Sequence, residues 1–242
     1  MNPDKLYFFY RSADKYPGSG ANEYVSDINK YMELKRVYNW RQILSNFWKS
    51  PFEVNGTRWN SVEHMFQGYK INIANPQLGF LFSLNSNSPL SRASGDEAQK
   101  NRKLAILSPE QLKQWENMKD NIMYNALYAK FSQHTELKRV LLLTQDAQLW
   151  HGAARVAPSR QYLLELVRAQ LLANDMKTIF ITFERAAQKL ADNEIERYVI
   201  DYRLQPLVNI PNQIITLIGK DGINYLVKAK YDKMTNQIYP LS

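Results

Sequence analysis

At 242 residues, 45% of them hydrophobic and 22% charged, the chain is long enough for one domain plus a small appendage and too apolar to be disordered. It has no cysteine, which excludes disulfides, iron–sulfur clusters and thiolate zinc sites and makes a reducing compartment, the cytoplasm, the expected location. The formal net charge is +8; residues 172–242 carry nine Lys/Arg against eight Asp/Glu, so about +7 falls on the first 171 residues, a balance that attracts phosphorylated ligands or nucleic acid and equally serves solubility.

In chain order, Leu6 to Tyr10 reads as a first strand, and Arg11 to Gly20 as a loop closed by Tyr16-Pro17-Gly18-Ser19-Gly20. Residues 22–38 carry helical spacing through Val25, Ile28, Tyr31, Met32 and Lys35. Leu44 to Trp48 and Phe52 to Val54 read as extended, with Asn55-Gly56 as a hairpin turn. Ser61 caps a helix that runs to about Ala74, where Asn75-Pro76 stops it. A further helix is expected at 77–84, a loop at Pro89 to Ser91, and a short basic helix from Gly95 to Lys103. Ser108-Pro109-Glu110 opens the next helix by the cap-then-proline rule, with strong helical signal over 115–133, 136–143 and 160–173.

The composition then shifts. All five tryptophans precede residue 151. Beyond Asn174 the pattern predicts a helix at 178–191 and then a hairpin, Ile214 to Ile218 and Asn224 to Ala229, turned at Asp221-Gly222. The boundary is expected near 172–176. No run of eighteen apolar residues is present, so no membrane span is expected, and the residues after Met1-Asn2-Pro3-Asp4-Lys5 form too short an apolar stretch for a signal peptide.

Two segments have the means for chemistry. On the helix after Ser61, Val62, Phe66, Tyr69 and Ile73 form an apolar stripe, and Glu63, Gln67 and Lys70 form a second stripe at its border. Glu63 stands in the first turn, where the helix dipole favours its ionised form. This stripe is either an ordinary solvated face or the edge of a site. In the second segment Trp115, Met118, Ile122, Ala126 and Ala129 make a buried stripe, overlapped by Lys119, Met123, Ala126 and Lys130. Lys119 on that face either snorkels to water or reaches an anion. His64, His134 and His151 are scattered without ligand spacing, and no phosphate-binding loop, dinucleotide fingerprint or nucleophile elbow occurs, so neither metal nor cofactor is expected.

Taken together, four segments resemble the NADAR superfamily, which includes the YbiA-like proteins. They are Phe9-Tyr10; Leu44-Ser45-Asn46-Phe47-Trp48 with Pro51 to Trp59; Ser61-Val62-Glu63-His64-Met65-Phe66-Gln67-Gly68-Tyr69-Lys70, which is similar to the family's Glu-His-x-x-Gln-x-x-Lys core; and Trp115-x-x-x-Lys119 through Ala126-Leu127-x-Ala129-Lys130-Phe131. The resemblance covers about residues 6–171 and implies an α+β, mainly helical, YbiA-like fold. Small β elements are expected near its N-terminus and a C-terminal β-hairpin appendage after it. The domains are then 1–173, catalytic, and 174–242, a helix plus hairpin of unassigned role.

The resemblance implies an N-glycosidase acting on a phosphorylated ribosyl or ADP-ribosyl compound: a riboflavin-pathway ribosylamine or an ADP-ribosylated nucleobase, the latter carried on nucleic acid. Glu63 is the expected catalytic carboxylate. Asn46 and Gln67 are expected at ribose hydroxyls, Phe47 and Trp115 at the base, and Arg11, Lys15 and Lys119 at phosphate. The chain departs from compact members in the insertion around Lys15-Tyr16-Pro17-Gly18 with Trp40-Arg41 after it. It departs again at Ala147 to Arg155, where those members carry an acidic Trp-Gly-Asp-Gly loop. Glu63 is therefore expected to act without a second carboxylate from that loop. The alternative is a non-catalytic module that binds ADP-ribose or modified nucleic acid. Residues 174–242 are alternatively a targeting or dimer-forming element, because a hairpin leaves open strand edges.

Overall fold

The computed structural model describes residues 2–9, 16–153, 156–207, 214–232, 234–235 and 237–241. They divide into two compact units, Met1–Val167 and Arg168–Ser242. Both mix helices and strands, and helix predominates in the first. No helix among the described residues is long and apolar enough to cross a membrane.

In the first unit, β1 (Lys5–Phe8) pairs in parallel with β4 (Gln148–Ala153), which pairs antiparallel with β5 (Val156–Arg160). The sequence pattern missed β4 and β5, because Trp150-His151-Gly152 lacks the alternation of a half-buried strand. A separate hairpin joins β2 (Phe52–Val54) to β3 (Thr57–Trp59), with Asn55 and Gly56 both at positive φ (49° and 76°), as the tight turn demands.

The helices of this unit are α1 (Met32–Lys35), α2 (Trp40–Leu44), α3 (Val62–Ala74), α4 (Pro76–Phe80), α5 (Pro89–Arg92), α6 (Gly95–Lys100), α7 (Pro109–Ser132) and α8 (Thr135–Leu142). Ser61 caps α3 by accepting from the His64 amide, as expected, and Asn75 ends α3 and caps α4. Ser108 opens α7 with a full capping box. The same cap-then-proline rule makes Ser88-Pro89 a helix start, where a loop was expected.

Two other expectations fail for local reasons. The helix over 22–38 shrinks to a 3-10 turn, Ile28–Tyr31, and the single turn α1, because Asn22 is left-handed (φ 66°) and Asp27 turns the chain by accepting from Asn29 N. Leu44 to Trp48 is not extended: α2 ends at Leu44 and a turn follows.

The second expected stripe on α3 is deeper than its sequence suggests. Glu63, His64, Met65 and Gln67 are buried, whereas Phe66, Tyr69 and Ile73 are half-buried. The helix packs against α4, α6 and α7 and so is enclosed on several sides through its first turns. Gly68 is required there: a Cβ would stand 2.7 Å from Trp59 Cζ3.

Helix α9 (Tyr162–Asp175) crosses the division between the units. The second unit is more than a helix and a hairpin. Its sheet runs β7 (Ile195–Val199), β8 (Ile214–Gly219), β9 (Asn224–Asp232), β10 (Gln237–Pro240), all antiparallel. In addition β6 (Thr178–Phe180) pairs in parallel with the start of β9. The helix expected at 178–191 is therefore β6 followed by α10 (Phe183–Ala191), separated by the Thr182 cap. Ile215, Leu217, Tyr225 and Val227 form its core with Ala186 of α10. The β8–β9 hairpin turns at Asp221-Gly222 as the sequence predicts, with Gly222 at φ 77°.

Candidate active site

The site is built on the N-terminus of α3. Because the first amides of a helix lack intrahelical partners, they need acceptors from outside. Ser61 Oγ serves the His64 amide, and the carbonyl of Asn46 accepts from the Glu63 amide at 3.1 Å. Asn46 is thus beside Glu63 through its backbone. Its side chain is directed toward Met123 of α7, with Nδ2 3.5 Å from Sδ.

The Glu63 residue is 5% exposed. Its Oε1 accepts from Gln67 Nε2 at 2.7 Å, one helical turn on. Burial pushes its pKa up to about 7, against the opposing pull of the Gln67 amide and the Arg102 charge. The dipole argument alone predicted an ionised carboxylate; desolvation outweighs it. The group is therefore close to half-protonated at neutral pH and able to give or take a proton.

His64 faces elsewhere, about 100° around the helix. It is fully buried, with Nε2 3.2 Å from the Leu90 carbonyl and Nδ1 2.7 Å from Ser61 Oγ. A carbonyl only accepts, so Nε2 carries the proton and Nδ1 accepts from the serine hydroxyl. Burial first, then the Lys49 charge, push its pKa down to about 4 against the Leu90 bond, so it stays neutral and structural.

Phe47 is half-buried beside Asn46, and α6 abuts it: a Cβ on Gly95 would lie 2.5 Å from Phe47 Cα. Trp115 is 4% exposed and stands edge-on to Phe66, ring centres 4.7 Å apart, where it packs α7 against α3. Lys119 lies one turn further along α7, half-buried and paired with Glu116, a bond that raises its pKa. Arg11 and Lys15 lie outside the described residues. The structure thus brings together Glu63, Gln67 and Asn46, with Phe47 next in sequence; Trp115 and Lys119 are engaged with Phe66 and Glu116.

One residue of this neighbourhood escaped the sequence reading as a site element. Lys130 is fully buried, and its ammonium donates to the carbonyls of Ile43 (2.6 Å) and Ser45 (2.8 Å) at the end of α2. Burial pushes its pKa down to about 7. It anchors the turn whose next residue, Asn46, accepts from Glu63. The available signal was a lysine four residues after Ala126 on a buried stripe, a position where ammonium groups need partners. Among the described residues no three His, Asp or Glu side chains gather as a metal site.

The model of the NADAR domain matches residues 35–155, half of the chain. The chain is 33% identical over 105 residues to the N-glycosidase YbiA of Escherichia coli strain K12, and 30% identical over 115 residues to that of Shigella flexneri serotype 5b. Each match covers 43% of this chain and 59% of the relative, so the chain spans under two thirds of the length of the curated relatives it matches. The NMR structure of the E. coli YbiA protein superposes at a TM-score of 0.44 with 27% identity, over 57% of this chain and 82% of that one. The residues around Glu63, Asn46 and Lys130 all fall inside the matched segment, and the chain belongs to the NADAR domain family.

Proposed function

We propose that the chain is an N-glycosidase that hydrolyses the bond between ribose and a base nitrogen in a phosphorylated ribosyl or ADP-ribosyl compound, with Glu63 as its catalytic carboxylate. The observation that carries this reading is a buried carboxyl with a pKa near 7 and a single amide partner, within a family whose relatives are named N-glycosidases. A group kept there for stability would have a full set of partners.

The chemistry follows from one carboxyl. Neutral Glu63 gives its proton to the departing base nitrogen as the C1′–N bond breaks, and positive charge develops at C1′. The resulting carboxylate stabilises that charge and then takes a proton from a water whose oxygen bonds to C1′ on the same side. One water is consumed, one free base and one ribosyl hydroxyl are formed, and Glu63 regains its proton. Because the same group serves departure and attack, the anomeric configuration is retained. Phe47, half-buried beside Asn46, is the ring assigned to the base. Gln67 holds the carboxyl in place, and Trp115 contributes by seating Phe66.

Substrates that separate the readings are a ribosylamine 5′-phosphate and ADP-ribosylated guanine in DNA, with products followed by chromatography. Wild-type protein should release free base or free ADP-ribose from one of them, and Glu63→Gln should bind it without release. Turnover by Glu63→Gln at the wild-type rate would remove Glu63 from the chemistry. Saturable binding by the wild type without any product would make the domain a binding module instead.

A further inference from the structure

On the face of α3 turned away from Glu63, a cavity of about 210 Å³ opens between that helix, β3 and α4. Its lining residues on α3 are Gly68, Tyr69 and Asn72. At about 100° per residue they stand about 140°, 240° and 180° around the helix from Glu63. Trp59, Gly68, Gly79 and Ser83 are the buried part of the lining, and Asn72 and Phe80, both exposed, mark the mouth. The walls are held in place. A Cβ on Gly68 would stand 2.7 Å from Trp59 Cζ3, and one on Gly79 2.7 Å from Asn72 Cα, so β3 and α4 both lie at contact distance from α3. The cavity is therefore pre-formed, as ligand pockets generally are.

Two polar atoms of this lining have no partner. Trp59 Nε1 and Ser83 Oγ are buried and make no hydrogen bond among the described residues. The two residues face each other across an antiparallel bridge, so their side chains project from the same side of it. A buried indole N–H ordinarily finds an acceptor, and a buried group without one asks for a partner from outside the chain. A single water does not fill the space, which is many times the roughly 10–15 Å³ that one water needs. The rest of the lining selects the occupant. None of it is charged, so an ion would lose its hydration with nothing to replace it. Trp59 and Tyr69 present two rings, centres 5.7 Å apart and planes tilted by 40°, and Phe80 adds a third, 51% exposed. Such rings favour a planar partner. The volume lies below the roughly 300–1,000 Å³ of drug-sized pockets, which leaves room for one small ring system.

We propose that this cavity is a second ligand site, for a neutral planar heterocycle the size of a nucleobase, with an acceptor for the Trp59 N–H and a donor or acceptor for the Ser83 hydroxyl. The assignment does not depend on Glu63 being catalytic. Because the site lies across α3 from that carboxyl, its occupant binds alongside a substrate at Glu63 and not in its place. The chemistry is that of a purine or a pyrimidine base, and one probe of each kind distinguishes them.

The test reads the five indole N–H signals of the full chain in a nitrogen–proton correlation spectrum. Trp59→Phe keeps a ring in place and identifies the Trp59 signal by its disappearance. Adenine or uracil, titrated into wild type, should move that signal saturably and further than the other four; the tighter binder shows which ring size fits. Ser83→Ala removes an unpartnered hydroxyl, so its thermal midpoint should not fall, while its calorimetric affinity for the same base should drop at least fivefold. Phe80→Ala, at an exposed position, should weaken binding as well, and with Ser83→Ala it carries the test if Trp59→Phe does not fold. Glu63→Gln should bind the base as wild type does. No saturable shift with either base would overturn the site and leave the cavity to water. A larger shift at another indole, loss of binding in Glu63→Gln, or undiminished affinity in both Ser83→Ala and Phe80→Ala would overturn it by placing the base elsewhere.

Discussion

Three glutamate side chains of the first unit are almost wholly withdrawn from water, and they are treated in two opposite ways. The Glu23 side chain is met by both terminal nitrogens of Arg41 and by the amides of Tyr7 and Gly20. Glu165 receives Arg160 twice and the amide of Leu149. Glu63, equally deep, has one neutral amide from Gln67. The first two are braces. Arg41 also donates to the carbonyls of Tyr7 and Tyr16, so the insertion after residue 15 and the Trp40-Arg41 pair, both noticed separately in the sequence, are two halves of one strut. The third is a carboxyl left short of partners, and that deficit is what raises its pKa. The difference teaches that burial alone does not mark a functional acid; burial without compensation does.

Substitutions can break or sharpen this contrast. The largest effect is expected at Glu63→Gln, which should slow base release by about a thousandfold, within the range of one acid–base group, while circular dichroism stays unchanged. Next comes Glu23→Gln, which leaves the Arg41 guanidinium buried without its counter-charge and should destabilise the unit by about 3–5 kcal/mol in urea unfolding.

Glu63→Gln should do the reverse to stability, and in a pH-dependent way. The folded pKa of about 7 stands above the unfolded value of 4.5, so the stability linked to this proton is full below about pH 4.5 and is lost as the pH rises through about 7. Relative to wild type, the glutamine variant should therefore gain on the order of 2–3 kcal/mol between pH 5 and pH 8. A constant difference across that range would mean that Glu63 is compensated after all.

Lys130→Met removes the donor to Ile43 and Ser45 and should cost about 1–3 kcal/mol. Hydrogen exchange at the Glu63 amide, bonded to the adjoining Asn46, should accelerate with it. The smallest effect belongs to Gln67→Leu. Because the amide favours the ionised carboxyl, its loss should move the alkaline limb of the kcat–pH profile to higher pH by about half a unit to one unit. A limb that moves down, or stays, would dissociate that profile from Glu63.

What the sequence made legible was local. Ser61, Ser108 and Asn55-Gly56 act through their own backbone neighbours, so caps and the tight turn appear where the pattern puts them. The resemblance likewise named Glu63, Gln67 and Asn46 for one site, and hydrogen bonds link the three. What stayed hidden depends on distant packing. Helical periodicity treats α3 as half-solvated, and nothing in its thirteen residues announces that α4, α6 and α7 enclose it. Hence the depth of Glu63, its near-neutral pKa and the burial of His64 were out of reach. Lys130 could be placed on its stripe, but its role was hidden for the same reason, since its carbonyl partners lie 85 and 87 residues away. In the second unit, β7 has no hydrophobic alternation because only Ile195 is buried, and β6 is three residues long, too short for periodicity to separate from the helix after it.

The position of the five tryptophans has a practical outcome. All of them belong to Met1–Val167, whereas Arg168–Ser242 has tyrosine and phenylalanine but no tryptophan. Indole emission on heating or in urea therefore watches the first unit while the second stays dark, and far-ultraviolet dichroism watches both. Superimposable transitions from the two signals would make the chain one cooperative block; a dichroic transition with no counterpart in emission would expose the second unit melting by itself. The protein already carries the optical label for asking whether its two parts unfold together.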